Sequence, residues 1–156
     1  MGVPRNLLFA TLLALAMAGG PALANLSGEE EESTHPEWIE AKKAIEAQDW
    51  KSAADHLSKA AAAEPESSDI RNWLGFAQRK LGNLDAAFVA YNEALKLNPG
   101  HRSAHEYIGE AYLMAGNLAK AEAHLTELQK LCTPIPCEQY KDLKRAVEDY
   151  KKNKKP

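Results

Sequence analysis

The chain has 156 residues, of which 45% are hydrophobic and 26% are charged, and its formal net charge at pH 7 is −3. This length predicts one domain, and an acidic balance with no basic stripe excludes nucleic acid as an expected partner. The sequence contains no phosphate-binding loop, no nucleophile motif and no paired catalytic carboxylates with a partner base. We therefore predict a protein that is not an enzyme and that uses no cofactor.

The N-terminus has the pattern of an export signal. One positive charge in residues 1–5 precedes the apolar run Leu7–Ala18, and Ala22-Leu23-Ala24 places small residues where signal peptidase accepts them. We predict a signal peptide over residues 1–24, cleaved after Ala24, and hence a periplasmic or secreted protein. The alternative is a leader retained as an anchor. The apolar run is shorter than the roughly 20 residues that span a bilayer, so we expect no stable membrane insertion.

Charged segments flank the predicted fold. Residues 25–33 include Glu29 to Glu32 with no apolar residue among them, which predicts a disordered acidic leader. At the other end, Lys151 to Lys155 form a basic tail, which we interpret as the solvated end of a helix.

A fixed period of 34 residues runs through the rest of the chain. It relates Ala53, Ala87 and Ala121, and it also relates Gly75 to Gly109. A period of this length is typical of stacked helix–turn–helix units, which bury their apolar faces only against their neighbours. The most regular unit combines the following residues: Leu74, Gly75, Gly82, Ala87, Tyr91, Ala94 and Pro99.

These residues and their spacing resemble the tetratricopeptide repeat. The resemblance implies an all-α fold, an α-solenoid of three helix–turn–helix units followed by a C-terminal capping helix. We assign the units to residues 34–67, 68–101 and 102–135, and the capping helix with the basic tail to residues 136–156. The sequence departs from the family at the fourth position of each unit, where Trp is usual and Glu37, Arg71 and His105 occur.

The connection from the third unit to the capping helix contains both cysteines of the chain. Cys132 and Cys137 enclose a loop with two prolines, and in an exported protein this arrangement predicts a disulfide. A redox site is the alternative, but the spacing is not that of a Cys-x-x-Cys motif. The segment resembles the cysteine-pair cap of small exported bacterial repeat proteins.

The family binds partners along the concave face that its first helices line, and the resemblance implies a groove here. Its predicted charges are basic at Lys42, Arg79 and Lys80 and acidic at Glu106 and Glu110. For Trp38 and Phe76, packing between neighbouring helices is the alternative interpretation. The full set of predicted groove residues is Trp38, Lys42, Ile45, Asn72, Phe76, Arg79, Lys80, Glu106, Glu110, Leu113 and Met114.

Two histidines have a spacing that metal ligands use. His101 and His105 lie four residues apart, which can place two imidazoles on one ion. No further ligand follows at a helical spacing, so we predict no metal site and interpret His101 as the start of a helix. We interpret the other three histidines, His35, His56 and His124, as isolated residues.

Taken together, the sequence predicts a non-catalytic exported adaptor that binds a peptide or partner protein in a short helical groove and assists an envelope assembly process. We also allow for a weak homo-oligomer. The first alternative is a structural protein that self-assembles through its repeats, and its oligomers would increase in size with concentration. A metal- or thiol-handling protein is the second alternative.

Overall fold

The computed structural model describes residues 33–153, so the predicted signal peptide, most of the acidic leader and the last residues of the basic tail lie outside it. This part of the chain contains seven α-helices and no strand. In chain order they are α1 Pro36–Glu46, α2 Trp50–Ala63, α3 Ser68–Lys80, α4 Leu84–Leu97, α5 Arg102–Met114, α6 Leu118–Leu131 and α7 Glu138–Asn153. The first six form three helical hairpins, α1–α2, α3–α4 and α5–α6, and α7 follows as a seventh helix.

Local sequence fixes where the helices start. The carboxylate of Asp49 accepts a hydrogen bond from the backbone N–H of Ser52 at the start of α2. The hydroxyl of Ser67 and the Nδ1 atom of His101 accept equivalent bonds at the starts of α3 and α5. Each bond satisfies one of the backbone donors that a helix N-terminus leaves free. His101 therefore starts a helix, as predicted.

The turns inside the hairpins require a left-handed residue. Gly82 and Gly116 have φ angles of 82° and 78°, which glycine adopts without a Cβ penalty. The first hairpin has Gln48 at the matching point, with φ of 56°. A non-glycine residue in this region is strained, so the first hairpin adopts the common turn geometry at a cost that the other two avoid.

Small residues let the two helices of each hairpin approach closely. Ala53, Ala87 and Ala121 are fully buried at the helix contacts. A Cβ atom on Gly75 would lie 2.6 Å from the ring of Tyr91, whereas one on Gly109 would lie 2.6 Å from Leu143. In the third hairpin, Leu143 of α7 therefore packs against the glycine, and this contact brings α7 against α5.

Helix α7 closes the stack with one apolar face. Leu143 and Val147 are buried in a cluster that also contains Leu113 and Leu128. In the loop before α7, Cys132 and Cys137 form a disulfide with an S–S distance of 2.03 Å. The bond ties the end of α6 to the start of α7, so it limits the angle at which α7 docks. Nothing in residues 33–153 is a helix both long and apolar enough to cross a bilayer.

The fourth position of each unit carries a polar pair that joins the two helices of the hairpin. We call this row the outer seam. Its pairs are Glu37 with His56 at 2.5 Å, Arg71 with Glu93 at 2.9 Å, and His105 with His124 at 3.0 Å. The interpretation of His56 and His124 as isolated residues was therefore wrong, because pairing partners nineteen residues away cannot be recognised from local spacing. His35 is not isolated either, since its Nδ1 atom accepts a hydrogen bond from Glu37 N at the start of α1.

Candidate functional site

The predicted groove is organised by one stripe of α3. Asn72, Phe76 and Arg79 lie four and three residues apart, so they share a face of this helix. The Nη1 atom of Arg79 lies 2.7 Å from Oε2 of Glu110 on α5, so this face of α3 is directed towards α5. Sequence reasoning placed both residues in the groove, and the structure adds that they form an ion pair.

Phe76 is the centre of an aromatic cluster. Its ring centroid lies 5.7 Å from that of Trp50, 5.4 Å from that of Trp73 and 5.0 Å from that of Tyr107. Two of these contacts are edge-to-face, a geometry that aromatic quadrupoles favour. Trp50, Trp73 and Tyr107 were not predicted as groove residues, although Trp73 and Tyr107 share the sixth position of their units and the period of 34 relates them.

Cations lie over these rings. The guanidinium of Arg79 lies 5.2 Å from the centroid of Phe76, and the ammonium of Lys80 lies 5.3 Å from the same centroid and 5.6 Å from that of Trp50. Further along, the ammonium of Lys42 lies 5.7 Å from the ring of Trp38. Such contacts stabilise a cation by about 0.5–2 kcal/mol, depending on how far it is desolvated. The basic part of the groove is therefore built on aromatic side chains.

The acidic part of the groove contains a carboxyl group that resists ionisation. Burial raises the pKa of Glu106 to about 7, and the charges of Glu110 and Asp142 raise it further, while Arg79 acts in the opposite direction. Asp142 belongs to α7 and was not predicted as a site residue. The sequence gives no signal for Asp142, because its pattern does not specify that the capping helix docks on α5.

Five buried side-chain atoms among residues 33–153 lack a hydrogen-bond partner, and three of them belong to predicted groove residues: Nε1 of Trp38, Oδ1 of Asn72 and Nε of Arg79. The other two are Oη of Tyr91 in α4 and Nε2 of His101, which lies 2.9 Å from Oδ1 of Asp69. Asn72 is only 2% exposed and Trp38 only 5%, while the side chain of Arg79 is 11% exposed. A buried polar group without a partner costs roughly 1–3 kcal/mol, and native structures contain few of them. Three of the five atoms lie on α1 and α3, and we take these two helices, with the paired face of α5, as the candidate site.

The remaining predicted groove residues are divided between core and surface. Trp38 belongs to the apolar cluster of the first hairpin, and Ile45 packs against that cluster. Leu113 is buried in the cluster that α7 closes, where it packs against the cap. Met114 is 57% exposed at the end of α5 and remains available to a partner.

The histidines do not assemble a metal site. Within the described residues, no group of three or more His, Cys, Asp or Glu side chains is placed to hold an ion. His105 instead contacts His124 through Nδ1, and its Nε2 atom lies 3.0 Å from the carbonyl oxygen of Pro99. Burial, with the nearby charge of His105, lowers the pKa of His124 to about 4.

The family model of the tetratricopeptide repeat matches residues 40–100 and again residues 77–133, which together span most of the first six helices. The chain belongs to the tetratricopeptide repeat family. The helical hairpins, the left-handed turns at Gly82 and Gly116 and the close contact at Gly75 are the structural counterparts of this match.

Solved structures of other repeat proteins share the fold. The Yersinia enterocolitica type III secretion chaperone SycD, in complex with a peptide of the translocator YopD, is 20% identical, with a TM-score of 0.68 over 76% of this chain and 92% of that chain. The TPR2B domain of yeast Sti1, in a complex with pHsp70, is 17% identical, with a TM-score of 0.69 over 76% and 95%. PcrH, in complex with the chaperone-binding region of PopD, is 16% identical, with a TM-score of 0.69 over 84% and 100%. At these identities the likeness shows the fold alone.

Proposed function

We propose that this protein is a non-catalytic adaptor that binds a peptide, or a segment of a partner protein, in the groove formed by α1, α3 and α5. The observation that carries the proposal is the set of buried polar atoms without partners on Trp38, Asn72 and Arg79. A bound segment supplies hydrogen-bond partners that the fold itself leaves out, and the aromatic cluster around Phe76 supplies apolar contact area.

The structural neighbours support a binding role. SycD and PcrH were solved with segments of YopD and PopD, and the Sti1 domain in a complex with pHsp70. All three accommodate a polypeptide on a scaffold of the same fold. The groove here carries both cations and carboxylates, so its partner is a segment with complementary polar groups rather than a purely apolar one.

We further propose that the adaptor works in the periplasm or outside the cell, where it assists assembly of an envelope structure. The predicted signal peptide and the disulfide between Cys132 and Cys137 support this location, because such bonds persist in oxidising compartments. Fractionation with an antibody against the protein tests it. Recovery of a shortened protein in the periplasm or medium is expected, and recovery of the full-length chain in the cytosol would contradict it.

The binding site is tested by photo-crosslinking in the native host. A benzophenone amino acid replaces Lys80 at the aromatic cluster or, as a matched control, Val89, an exposed residue of α4. We expect a defined adduct from position 80 and none from position 89. Equal adducts from both positions would place the working surface elsewhere.

Self-assembly remains the alternative, and Ile135, 79% exposed in the disulfide loop, is the most exposed large apolar side chain among residues 33–153. Light scattering at rising protein concentration separates the two functions. An adaptor of this size stays monomeric, whereas an assembling protein increases in mass, and Ile135→Ser reverses that increase.

A further inference from the structure

The groove contains a row of three side chains that the repeat itself aligns. Trp38, Asn72 and Glu106 are the fifth residues of their units, each 34 residues from the next, and they lie on α1, α3 and α5 in turn. The row runs across the helices, because equivalent positions of stacked helices lie side by side. A segment that crosses the groove passes α1, α3 and α5 in this order or its reverse.

The first two members of the row differ in hydrogen-bond type. Trp38 offers a buried N–H donor and Asn72 a buried acceptor oxygen, and neither has a partner. An extended backbone presents carbonyl oxygens and N–H groups in alternation, so one segment can satisfy both atoms. A helical segment would have to use side chains for both bonds, because its backbone groups are bonded within the helix. An extended segment is therefore the occupant that could bond to both atoms with its main chain alone.

The third member of the row is a carboxyl group without an ionic partner. Glu106 makes no ion pair with any other residue in the range 33–153, whereas its acidic neighbours are already paired: Glu110 with Arg79 at 2.7 Å, and Asp142 with Arg145 at 2.6 Å. Glu106 is therefore the uncompensated carboxyl group of this cluster. A basic side chain from a ligand would favour its ionised form and gain a charge-assisted hydrogen bond.

The distance between the two subsites sets the spacing in the ligand. Neighbouring packed helices lie about 8–10 Å apart, and an extended chain advances about 3.3 Å per residue. About three residues therefore separate the backbone N–H that reaches Asn72 from the side chain that reaches Glu106.

We propose, on the basis of the function proposed above, that the occupant of the groove is an extended polypeptide segment whose main chain bonds to Trp38 and Asn72 and whose Lys or Arg side chain, about three residues away, pairs with Glu106. An acidic segment is disfavoured because the largest local cation, Arg79, is already neutralised by Glu110. Lys80 at the open end of the groove remains for a ligand carboxylate elsewhere in the segment.

Selection of random dodecapeptides displayed on phage against the purified protein tests this inference. We expect the selected sequences to share a Lys or Arg at a fixed position. A synthetic copy of one selected peptide should lose affinity about tenfold or more when that residue is replaced by norleucine, an uncharged isostere. Fluorescence anisotropy measures the affinities.

Protein variants then locate the interaction. Glu106→Gln should reduce affinity for the Lys peptide about tenfold and leave affinity for the norleucine peptide unchanged. Asp55→Asn, which alters an exposed carboxylate of α2, should change neither. Circular dichroism confirms that each variant is folded.

The outcomes separate this inference from the proposed function. Peptides that compete for the crosslink at position 80 but share no basic residue, or that bind Glu106→Gln as tightly as the native protein, overturn the inference and leave a peptide-binding groove. A selection that returns no peptide competing at position 80 overturns both.

Discussion

The outer seam and the groove share helices α1, α3 and α5, but the fourth residues of the units, in the seam, have polar partners and the fifth residues, in the groove, do not. At the seam, the fourth residue of every unit has a partner within its own hairpin, as in the pair of Arg71 with Glu93. In the groove, one residue further along, Trp38 and Asn72 keep buried polar atoms without partners and Glu106 has a raised pKa. Polar side chains at the fourth position of a unit are therefore hydrogen-bonded or ion-paired, whereas those at the fifth position lack such a partner.

Under the proposed function, this difference separates residues that serve the fold from residues that serve binding. Seam pairs replace the Trp usual in this family and hold two helices together. The groove atoms cost free energy in the isolated protein, and a sequence retains such costs where a ligand offsets them. We therefore expect seam substitutions to alter stability without altering binding, and groove substitutions to alter binding while leaving stability equal or higher.

The largest expected effect is on the seam pair of His105 and His124. The pKa of His124 is lowered to about 4, from an unfolded value near 6.5, because burial and His105 disfavour its charged form. The unfolded state therefore binds the proton first, and stability falls as the pH drops from 6.5 towards 4. With its partial exposure taken into account, we expect a loss of about 1–2 kcal/mol between pH 7 and pH 5.

Urea unfolding at both pH values measures this loss, with His124→Asn as the control. Asn can accept or donate to His105 but does not titrate, so the variant should lose about 1 kcal/mol less than the native protein on acidification. An equal loss in both proteins would show that the pair is not the acid-sensitive contact.

Glu106 is expected to have a smaller effect of opposite sign. Its pKa is raised to about 7 from an unfolded value near 4.5, so ionisation of the folded state costs stability that is lost as the pH rises from 4.5 through 7. Glu106→Gln should therefore raise the free energy of unfolding by about 1 kcal/mol at pH 8, with allowance for its exposure, and by much less at pH 5. Destabilisation at pH 8 would indicate that the fold depends on this carboxylate.

The sequence predicted the helices and the stacking, and it failed where partners come from distant segments. The period of 34 located the close contacts at Ala53 and Ala87 and the left-handed turns at Gly82 and Gly116. It did not predict that Leu143 fills the space beside Gly109, because the docking of α7 lies outside the repeat.

The groove shows the same division. The resemblance to the family predicted Phe76, Arg79 and Glu110 on the concave face, but pairing and protonation depend on distances between helices. The role of Asp142 beside Glu106 follows from the docking of α7, and the contact of His105 with His124 joins α5 to α6. A pattern within one helix specifies a face, whereas the chemistry of that face depends on what the neighbouring helices contribute.

The next smaller change in stability is expected at Asn72, which also tests the groove directly. Because Oδ1 of Asn72 is buried without a partner, Asn72→Leu removes an unsatisfied acceptor and should change stability by no more than about 1 kcal/mol, in the favourable direction. The same variant should bind the selected peptides about tenfold more weakly, since it cannot accept from their backbone. A clear loss of stability would mean that the amide serves the fold.

The smallest effect is expected at Arg71, the seam residue immediately before Asn72. Its guanidinium pairs with the half-exposed Glu93 and lies 3.3 Å from the carbonyl oxygen of Ala61, so Arg71→Met should cost about 0.5–1 kcal/mol. Peptide affinity should be unchanged, because these contacts are made with α2 and α4 and do not involve the groove residues. The two neighbouring substitutions should therefore have opposite effects. Arg71→Met should lower stability and leave peptide affinity unchanged, whereas Asn72→Leu should lower peptide affinity without lowering stability. If Arg71→Met weakened peptide binding as strongly as Asn72→Leu, the two surfaces would be coupled through α3. The seam would then contribute to binding as well as to stability, which contradicts the distinction drawn here between seam and groove.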